Sequence, residues 1–428
     1  MELTIEKLVY GGDGLARLPA DERGPGKAVF LPFVLPGERV EASLVEQKKG
    51  FARARVENVL GPSPARIAPA CVYFGRCGGC HYQHTGYEHQ LKIKVDILRE
   101  NLRRMAKVEL EDIEVHASLP WNYRNRTRLQ LRASPGFTVG YFKLNSHELM
   151  PIKECPISSP LINRAIRELW EIGRAEGVEE IEFFANADDS QLLVETYGEG
   201  DGRLGQSLST LVPEVCGVAV FPDISGTRAR RGPPTCAPQG AGEGARPPLG
   251  LTYKTRQASY RVSAGAFFQI NRHLTDELVT LVTTGRSGHT ALDLYAGVGL
   301  FSTVLSRKFD RVIAVESSPV SGADLQSNSP ANVKAVRGTA EQYLEKVSGK
   351  LQPDLVVVDP PRSGLGDSVV QRLVSLGAPR VTYVSCDPAT LSRDLRGLLK
   401  SGYRVEQAHL VDLFPQTYHL ESVFHLLR

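Results

Sequence analysis

From about residue 259 onward, apolar strand-like segments alternate with helical ones, and this pattern restricts the fold more than any other feature of the sequence. The strand-like segments cover residues 291–295, 311–315, 355–358 and 381–385. Such alternation predicts a parallel, doubly wound α/β sheet. The tail, from about residue 403 to 428, is expected to add antiparallel strands at the edge of that sheet. Because ligands bind at the carboxyl ends of the strands in such sheets, polar residues that follow these strands should lie close together.

A glycine-containing loop follows the first of these strands, in the segment Asp293-Leu-Tyr-Ala-Gly-Val-Gly. Gly297 and Gly299 allow the backbone to turn tightly and to approach a ligand. Glu316 ends the next strand, at the distance from the loop at which an acid can reach ribose hydroxyls. The third glycine of the dinucleotide fingerprint is absent, which favours a nucleoside ligand without a pyrophosphate, such as S-adenosylmethionine. A plain turn between a strand and a helix is the alternative.

Cys386 follows the strand at 381–385 and precedes a helix for which Asp387 is a natural N-cap. A cysteine beside a helix N-terminus tends to ionise, so we expect a reactive thiolate, with a small buried thiol as the alternative. Glu421 interrupts an apolar strand in the tail. A thiolate and a carboxylate supply a nucleophile and a base. Carbon 5 of uracil needs both, because it becomes nucleophilic only after a thiolate adds to carbon 6 and must then lose its proton.

Asp359 begins another motif, Asp-Pro-Pro-Arg, at the end of the strand at 355–358. Its two prolines fix the backbone and leave carbonyl groups exposed. A related turn holds the target amine in amino-group methyltransferases. Methylation of a base nitrogen is therefore an alternative, and it needs no cysteine nucleophile.

Four of the seven cysteines form a candidate metal site. The segment Cys71-x₅-Cys77-Gly-Gly-Cys80 supplies three ligands, and Cys155, which precedes a proline, is the expected fourth. Soft thiolates select zinc or an iron–sulfur cluster. Zinc sites usually pair two close Cys-x₂-Cys units, whereas a Cys-Pro ligand occurs in ferredoxin-type clusters, so the spacing favours iron–sulfur and leaves zinc open. Cys216 and Cys236 are expected to be bystanders.

Two groups of basic residues are candidates for RNA contacts, although the net charge of +3 alone does not indicate nucleic acid. The first, near the last strands of a small β-barrel predicted for residues 1–60, consists of Lys48, Lys49 and Arg53. The second lies on a predicted strand without acids, where alternate side chains share one face. Its members are Arg124, Arg126, Arg128 and Arg132. Both groups suit phosphate contacts, and a solvated face is the alternative for both.

These features divide the chain into four parts. They are a barrel at 1–60, a central α+β domain at 71–88 and 121–258, a helical segment at 89–120 and a catalytic domain at 259–428. Helices are clearest at 89–106 and 162–173, and the segment at 226–250, rich in Gly, Pro and Arg, is expected to be a flexible surface loop. No apolar stretch approaches the roughly 20 residues of a membrane helix, and the start does not resemble a secretory signal, so a cytoplasmic protein is expected.

The chain resembles the RNA (uracil-5-)-methyltransferase family over nearly its whole length, and particularly the bacterial members that act on large-subunit (23S) ribosomal RNA. The matching motifs are Ser-Cys386-Asp-Pro-Ala-Thr-Leu-Ser-Arg-Asp, Phe-Pro-Gln-Thr-Tyr-His-Leu-Glu421, Phe267-Phe-Gln269-Ile-Asn and the glycine loop with Glu316. The family more often has Asn at the position of Asp387, and Tyr295 replaces a usual Phe.

The resemblance implies a Rossmann-like methyltransferase sheet, an OB-like TRAM barrel that binds RNA, and a monomeric protein. It implies that Cys386 attacks carbon 6 of uracil, that Glu421 removes the proton from carbon 5, and that Phe267 lies beside a base flipped out of its stack. The residues implied to bind S-adenosylmethionine are Gln269, Asp293, Tyr295, Gly297, Gly299, Glu316 and Asp359. The four clustered cysteines are implied to hold a [4Fe–4S] cluster. Ribosomal RNA is the expected substrate, and transfer RNA is the alternative.

Overall fold

The computed structural model describes residues 1–19, 26–222, 235–236 and 249–428. The loop predicted over 226–250 lies almost entirely outside the described residues, and so does the side chain of Cys236. Within the described ranges, no helix is both long and apolar enough to cross a membrane.

The N-terminal segment folds into a closed barrel. Its strands are β1 (Glu2–Thr4), β2 (Lys7–Leu8), β3 (Asp13–Arg17), β4 (Ala28–Pro32), β5 (Arg39–Gln47) and β6 (Phe51–Gly61). Their order in the sheet is β1-β5-β6-β4-β3-β2. The edge strands β1 and β2 are joined directly by Ile5 and Glu6, and this junction closes the barrel. The N–H of Ile5 donates to the Glu38 carbonyl on the β1 side, and the N–H of Glu6 donates to the Leu15 carbonyl on the β2 side. The predicted barrel is confirmed.

A helix and a short strand connect the barrel to the rest of the chain. Helix α1 (Tyr87–Asn101) continues as a π-helical turn at Leu102–Ala106, and β7 (Glu114–His116) follows. The apolar face of α1 is buried, including Val95 and Leu98, and it packs against the helix at Pro388–Lys400.

The central domain is a mixed sheet with two helices on one face. Its elements are β8 (Arg126–Arg132), β9 (Thr138–Phe142), β10 (Leu149–Pro151), α2 (Pro160–Ile172), β11 (Val178–Ala185), β12 (Leu192–Gly198), α3 (Arg203–Leu211), β13 (Val215–Phe221) and β14 (Thr235–Cys236). The sheet order is β10-β9-β8-β11-β12-β13-β14. Helix α2 begins two residues before the predicted helix, because the Ser159 hydroxyl caps it and Pro160 suits its first turn. The hairpin β15 (Gly250–Lys254) and β16 (Ser259–Ser263) follows.

The C-terminal part holds the predicted doubly wound sheet. Its elements are α4 (Thr275–Thr283), β17 (Gly288–Leu294), α5 (Ser302–Leu305), β18 (Phe309–Glu316), α6 (Pro319–Asn328), β19 (Val333–Arg337), α7 (Ala340–Val347), β20 (Leu355–Val358), α8 (Gly366–Leu376), β21 (Arg380–Ser385), α9 (Pro388–Lys400), β22 (Arg404–Val411) and β23 (Glu421–Leu427). The sheet order is β19-β18-β17-β20-β21-β23-β22-β7. The first five strands in this order run parallel, and β23 is antiparallel to both neighbours, which confirms the predicted tail.

Alternate residues of the central strands pack into apolar cores on opposite faces of this sheet. Leu292 and Leu294 join a core that also includes barrel and α1 residues, whereas Ala291 joins a core shared with the hairpin β15–β16. Because both faces are covered, open access to this sheet is at the strand ends, where the candidate site lies.

Candidate active site

The pairing of β21 with β23 brings Cys386 and Glu421 together. Ser385 pairs with Ser422 at the end of the antiparallel ladder, and Cys386 and Glu421 are the next residues on the two segments. Their proximity is also evident from the influence of Glu421 on the pKa of Cys386. Opposite residues in such a ladder have Cα atoms about 4.5–5.5 Å apart and share one face of the sheet. Glu421 is only 5% exposed. The two residues predicted as nucleophile and base are therefore neighbours, although 35 positions separate them in the sequence.

Carboxyl groups dominate the electrostatics of this site. Burial, followed by the charge of Asp359, raises the pKa of Glu421 well above its usual range. Burial raises the pKa of Asp359 to about 7, with a further contribution from Asp293. Burial also raises the pKa of Cys386 to about 12, and Glu421 and Asp359 add to that shift.

The helix N-terminus does not lower the pKa of Cys386, contrary to the expectation of a ready thiolate. The Asp387 carboxylate caps α9 and accepts hydrogen bonds from the N–H groups of Ala389 and Thr390, at 3.0 and 2.9 Å. Burial of the thiol is the main cause of its raised pKa, and the charge of Asp387 adds to that of the other nearby carboxyls.

Three residues at the site were not singled out from the sequence. Arg362, at the end of Asp-Pro-Pro-Arg, is the nearby cation that lowers the pKa of both Cys386 and Glu421. Its guanidinium lies 3.5 Å from Nδ1 of His419, a histidine whose pKa is lowered to about 3 by burial and by Arg362. Tyr10 of the barrel donates a hydrogen bond to the carbonyl of Cys386, at 3.1 Å. The motif itself could have indicated Arg362, but nothing in the sequence indicates Tyr10.

The glycine loop and two acids form the crevice predicted for the cofactor. Gly297 has a φ of +57°, and an added Cβ there would meet nothing within 4 Å. Its N–H donates to Glu316, at 2.9 Å, which ties the loop to the end of β18. Tyr295 also adopts a left-handed φ, of +63°. Gly299, with a φ of +94°, completes the turn.

Asp293 supplies the test of whether this crevice fits S-adenosylmethionine. The side chain is fully buried; one oxygen accepts from the Ser302 hydroxyl and the other, Oδ1, has no partner within the described residues. Burial raises the pKa of Asp293 to about 7. An unpartnered buried acceptor is costly unless a ligand donor satisfies it, and the ammonium group of an amino-acid ligand can do so. Gln269 is also largely buried, and the neighbouring loop residue Phe267 is 63% exposed. The residues present fit the cofactor.

The cysteines predicted to form a metal site do converge. Cys71, Cys77, Cys80 and Cys155 line one small cavity with Tyr141 and Ile152. Burial, then the neighbouring thiols of Cys155 and Cys71, raises the pKa of Cys77 to about 11. Such thiols bind as thiolates only when a cation compensates their charge.

The arginine row on β8 has a different environment from the one predicted. Alternation along the strand does place the arginines on one face, but acids from the neighbouring strands β11 and β12 cover the middle of it. Arg126 pairs with Glu182 and, at 3.2 Å, with Glu195. Arg128 donates to Glu182 at 2.7 Å and to Glu180 at 3.1 Å. These two guanidinium groups thus hold the central sheet together, and their predicted role in binding phosphate is not supported.

The outer members of the row and the barrel lysines lie elsewhere. Arg124 donates to the backbone carbonyl of Arg126, whereas Arg132 is exposed at the end of β8. Lys48, Lys49 and Arg53 are exposed around the turn between β5 and β6. Lys48 and Arg53 lie over the ring of Phe51, at 5.6 and 5.9 Å from its centroid, so this corner presents cations beside an aromatic ring.

The loop that leads into Glu421 is held by α1 and by the cysteine-containing segment. Lys94 is fully buried and donates to Asp412, at 2.6 Å, and to the Phe414 carbonyl, at 2.9 Å. Gln90 exchanges two hydrogen bonds with Gln416, both 3.0 Å long. The N–H groups of His81 and Tyr82 donate to the Gln416 carbonyl, at 2.8 and 3.0 Å. Lys94 lies within the apolar face of α1. A lysine on an otherwise apolar helix face could have predicted a buried acidic partner from the sequence.

Comparison with known proteins agrees with the fold and identifies the family. The family model described as tRNA (Uracil-5-)-methyltransferase matches residues 250–428, and the TRAM domain model matches residues 1–56. An uncharacterised RNA methyltransferase of Aquifex aeolicus (strain VF5) is 34% identical over 446 residues, covering 99% of this chain and 97% of that protein. The 23S rRNA (uracil(1939)-C(5))-methyltransferase RlmD of Chromohalobacter salexigens is 32% identical over 437 residues, covering 100% of this chain and 89% of that protein.

A solved structure shows the same fold over the full length. The Pyrococcus abyssi tRNA (uracil-54, C5)-methyltransferase in complex with S-adenosyl-L-homocysteine has a TM-score of 0.76 at 24% sequence identity, and 100% of each chain is covered. The resemblance predicted from the motifs is confirmed. The chain therefore belongs to the RNA (uracil-5-)-methyltransferase family and is an S-adenosylmethionine-dependent RNA methyltransferase with an N-terminal TRAM domain.

Proposed function

We propose that this protein methylates carbon 5 of a uridine in RNA, with Cys386 as the nucleophile and Glu421 as the base. One observation carries the proposal: the thiol and a buried carboxyl follow directly on the last pair of β21 and β23, at the sheet edge that also carries the glycine loop and Glu316. Methylation of carbon 5 requires a thiol, a carboxyl and a methyl donor at one edge of the sheet. Methylation of a base nitrogen does not require the thiol.

The reaction proceeds in three steps. The thiol of Cys386 releases its proton to solvent and the thiolate forms a bond to carbon 6, which places the electron pair of the 5,6 double bond on carbon 5 as an enolate. S-adenosylmethionine, when bound, would supply an electrophilic methyl group: the bond between that methyl and the sulfonium sulfur breaks as carbon 5 acquires the methyl, and S-adenosylhomocysteine is the leaving group. Glu421 then takes the original proton from carbon 5, the double bond re-forms and the bond between sulfur and carbon 6 breaks.

The raised pKa values suit this sequence of proton transfers. A carboxylate with a raised pKa is a stronger base than an ordinary one, which favours removal of a carbon-bound proton by Glu421. Cys386 must ionise despite its pKa of about 12 in the free protein, and Arg362 is the protein cation placed to stabilise that thiolate. Phe267 is exposed, which leaves its ring available to stack on a base that has left its helix.

Nitrogen methylation at the Asp359 turn is the second candidate. It would use Asp359 and the two prolines that follow it to hold an amine. Cys386 and Glu421 would then have no role in the reaction. The pairing of those two residues therefore favours carbon 5.

For the substrate, we propose 23S ribosomal RNA, with transfer RNA as the alternative. The full-length relative RlmD from Chromohalobacter salexigens supports the former, and the fold neighbour that acts on transfer RNA supports the latter. Mapping 5-methyluridine in 23S RNA and transfer RNA, from cells with and without this protein, distinguishes them. The substrate is the RNA class in which a 5-methyluridine is lost when the protein is absent.

Cys386→Ala should lower the rate of 5-methyluridine formation by at least about 1000-fold, since removing the nucleophile of a covalent mechanism costs up to about 10⁶ in other enzymes. The measurement is mass spectrometry of nucleosides after incubation of RNA with S-adenosylmethionine. Cys216→Ala is the matched control, because that exposed cysteine lies in the central domain and should leave the rate unchanged. Retained carbon 5 methylation by Cys386→Ala would exclude the covalent mechanism, and a methyl group on nitrogen would favour the Asp359 turn.

For the four clustered cysteines, we propose a [4Fe–4S] cluster. In a tetrahedral zinc site the sulfur atoms are about 3.8 Å apart, because each Zn–S bond is about 2.3 Å. No three of the four sulfur atoms, all in the described part of the chain, lie within 4.8 Å of one another. They nevertheless line one cavity, which suits a larger group whose thiolates bind different irons.

The contacts of this segment indicate a structural role for the cluster. Cys80 directly precedes His81 and Tyr82, whose N–H groups hold the Gln416 carbonyl in the loop before Glu421. A cluster that fixes Cys77 and Cys80 would therefore also fix the path of the chain towards the base.

Protein purified without oxygen should contain about four irons per chain and absorb visible light as iron–sulfur proteins do. Cys155→Ser should lose most of the iron, because it removes the ligand contributed from the far side of the cavity. The measurements are metal analysis and the absorption spectrum. One zinc per chain without iron would overturn the assignment and establish the zinc alternative.

A further inference from the structure

A second group of metal-binding side chains lies at the outer edge of the catalytic sheet, away from the cysteines and from Cys386. Glu114 and His116 are on β7, and His409 faces them from β22. One ligand atom from each of the three lies within 4.8 Å of the other two. This edge brings together residues that are 293 positions apart in the sequence.

The distances match the edges of a tetrahedral metal site. Nε2 of His116 and Nδ1 of His409 are 3.1 Å apart, and the Glu114 carboxylate lies 3.3 Å from the same Nδ1 and 3.8 Å from Nε2 of His116. Ligands at about 2.0–2.1 Å from a tetrahedral zinc ion are about 3.3 Å apart. The 3.3 and 3.8 Å distances belong to Oε2 and Oε1 of Glu114, so each carboxylate oxygen lies near one imidazole, and one ligand atom of each residue lies within 4.8 Å of the other two. An ion could therefore be bound between them after a small rotation of the carboxylate.

The surrounding residues orient the proposed ligands. The Glu277 carboxylate on α4 lies 3.2 Å from Nδ1 of His116, the ring nitrogen that faces away from His409. A carboxylate on the outer nitrogen of a histidine ligand fixes its tautomer and strengthens it as a ligand. His409 is buried whereas Glu114 is exposed, so an ion could enter from solvent on the Glu114 side.

We propose that Glu114, His116 and His409 bind one divalent transition-metal ion, of which zinc is the best fit to two imidazoles and a carboxylate. The ion would join β7 to the edge of the catalytic sheet. Strand β7 is only three residues long, yet the His116 carbonyl accepts from the N–H of Asp412, where the loop towards Glu421 begins. A metal at this position would stabilise the start of that loop through the backbone.

The contrasting interpretation is a plain hydrogen bond between the two histidines, in which one ring donates to the other. The 3.1 Å separation permits it. It does not need Glu114, which distinguishes the two interpretations experimentally.

The test compares the full-length protein, purified without oxygen so that the cysteine site stays loaded, with Glu114→Gln and His409→Gln. Each protein is dialysed against buffered Zn²⁺ at graded concentrations, and zinc is counted by mass spectrometry. The unmodified protein should bind one equivalent more than His409→Gln, and Glu114→Gln should need at least about tenfold more zinc for half-saturation. Glu109→Gln, an exposed acid on the same segment, is the matched control and should bind like the unmodified protein.

Substitution by Co²⁺ separates this site from the cysteines. Cobalt bound by histidine and carboxylate should show visible bands without the intense sulfur-to-cobalt absorption that thiolates produce. Equal zinc in the unmodified protein and Glu114→Gln, or a cobalt spectrum with sulfur absorption alone, would overturn the proposal and leave the hydrogen-bonded histidine pair. Because Glu114 is exposed, its variant tests the site even if His409→Gln does not fold.

Discussion

Glu421→Gln should trap the RNA on the protein. The amide cannot take the proton from carbon 5, so addition of Cys386 and methyl transfer would proceed while release would stop. We expect a covalent complex that survives denaturing electrophoresis, and release of 5-methyluridine slowed by about 10²–10⁴-fold, the range that a positioned base contributes. The complex requires both S-adenosylmethionine and Cys386.

The same variant should fold normally. Glutamine has nearly the size of glutamate and carries no charge, so it avoids the cost of burying a carboxylate that is evident in the raised pKa of Glu421. Its midpoint of thermal unfolding should therefore stay close to that of the unmodified protein. The double variant Cys386→Ala/Glu421→Gln is the control and should form no complex. Undiminished turnover by Glu421→Gln would assign the proton abstraction to another group.

Lys94→Met should be among the most destabilising single changes in the protein. It leaves the Asp412 carboxylate buried without its cation, and removing one partner of a buried ion pair costs about 3–5 kcal/mol. The Phe414 carbonyl also loses its donor. Denaturant titration should show the loss, and the methylation rate should fall as well, because the loop that carries Glu421 loses its support.

Two further variants separate charge burial from simple loss of packing. Lys94→Met/Asp412→Leu removes both charges and should recover much of the stability, since paired replacement of buried ions by apolar residues is often neutral. Lys92→Met changes an exposed lysine on the same helix and should leave the free energy of unfolding within about 0.5 kcal/mol. If Lys94→Met matched Lys92→Met, the ion pair would contribute nothing to the fold.

The sequence predicted the sheet and most of its edge because local patterns report on local structure. Strand ends in a parallel sheet meet at one edge, so placing Asp293, Glu316, Asp359 and Cys386 after strands was enough to predict that they approach each other. The family motif implied that Glu421 acts with Cys386, whereas the pairing of β21 with β23 that brings them together is seen only in the structure.

What the sequence did not reveal depends on contacts between distant segments. Arg126 and Arg128 stand in a stretch without acids, and their partners Glu182 and Glu195 arrive from strands more than fifty residues later. The pKa of Cys386 likewise depends on burial of the thiol and on carboxyls that two other strands bring near it. The neighbouring residues in the sequence predict which face of a strand or helix a side chain occupies. They do not predict which residues from distant segments pack against that face.

The hydrogen bond from Tyr10 to the Cys386 carbonyl makes the barrel part of the active-site wall. A module of this kind is often regarded as an interchangeable attachment that brings substrate to a catalytic unit. Here an exchanged barrel would also have to present a hydroxyl to the carbonyl of Cys386. The barrel and the catalytic domain therefore constrain each other at this turn.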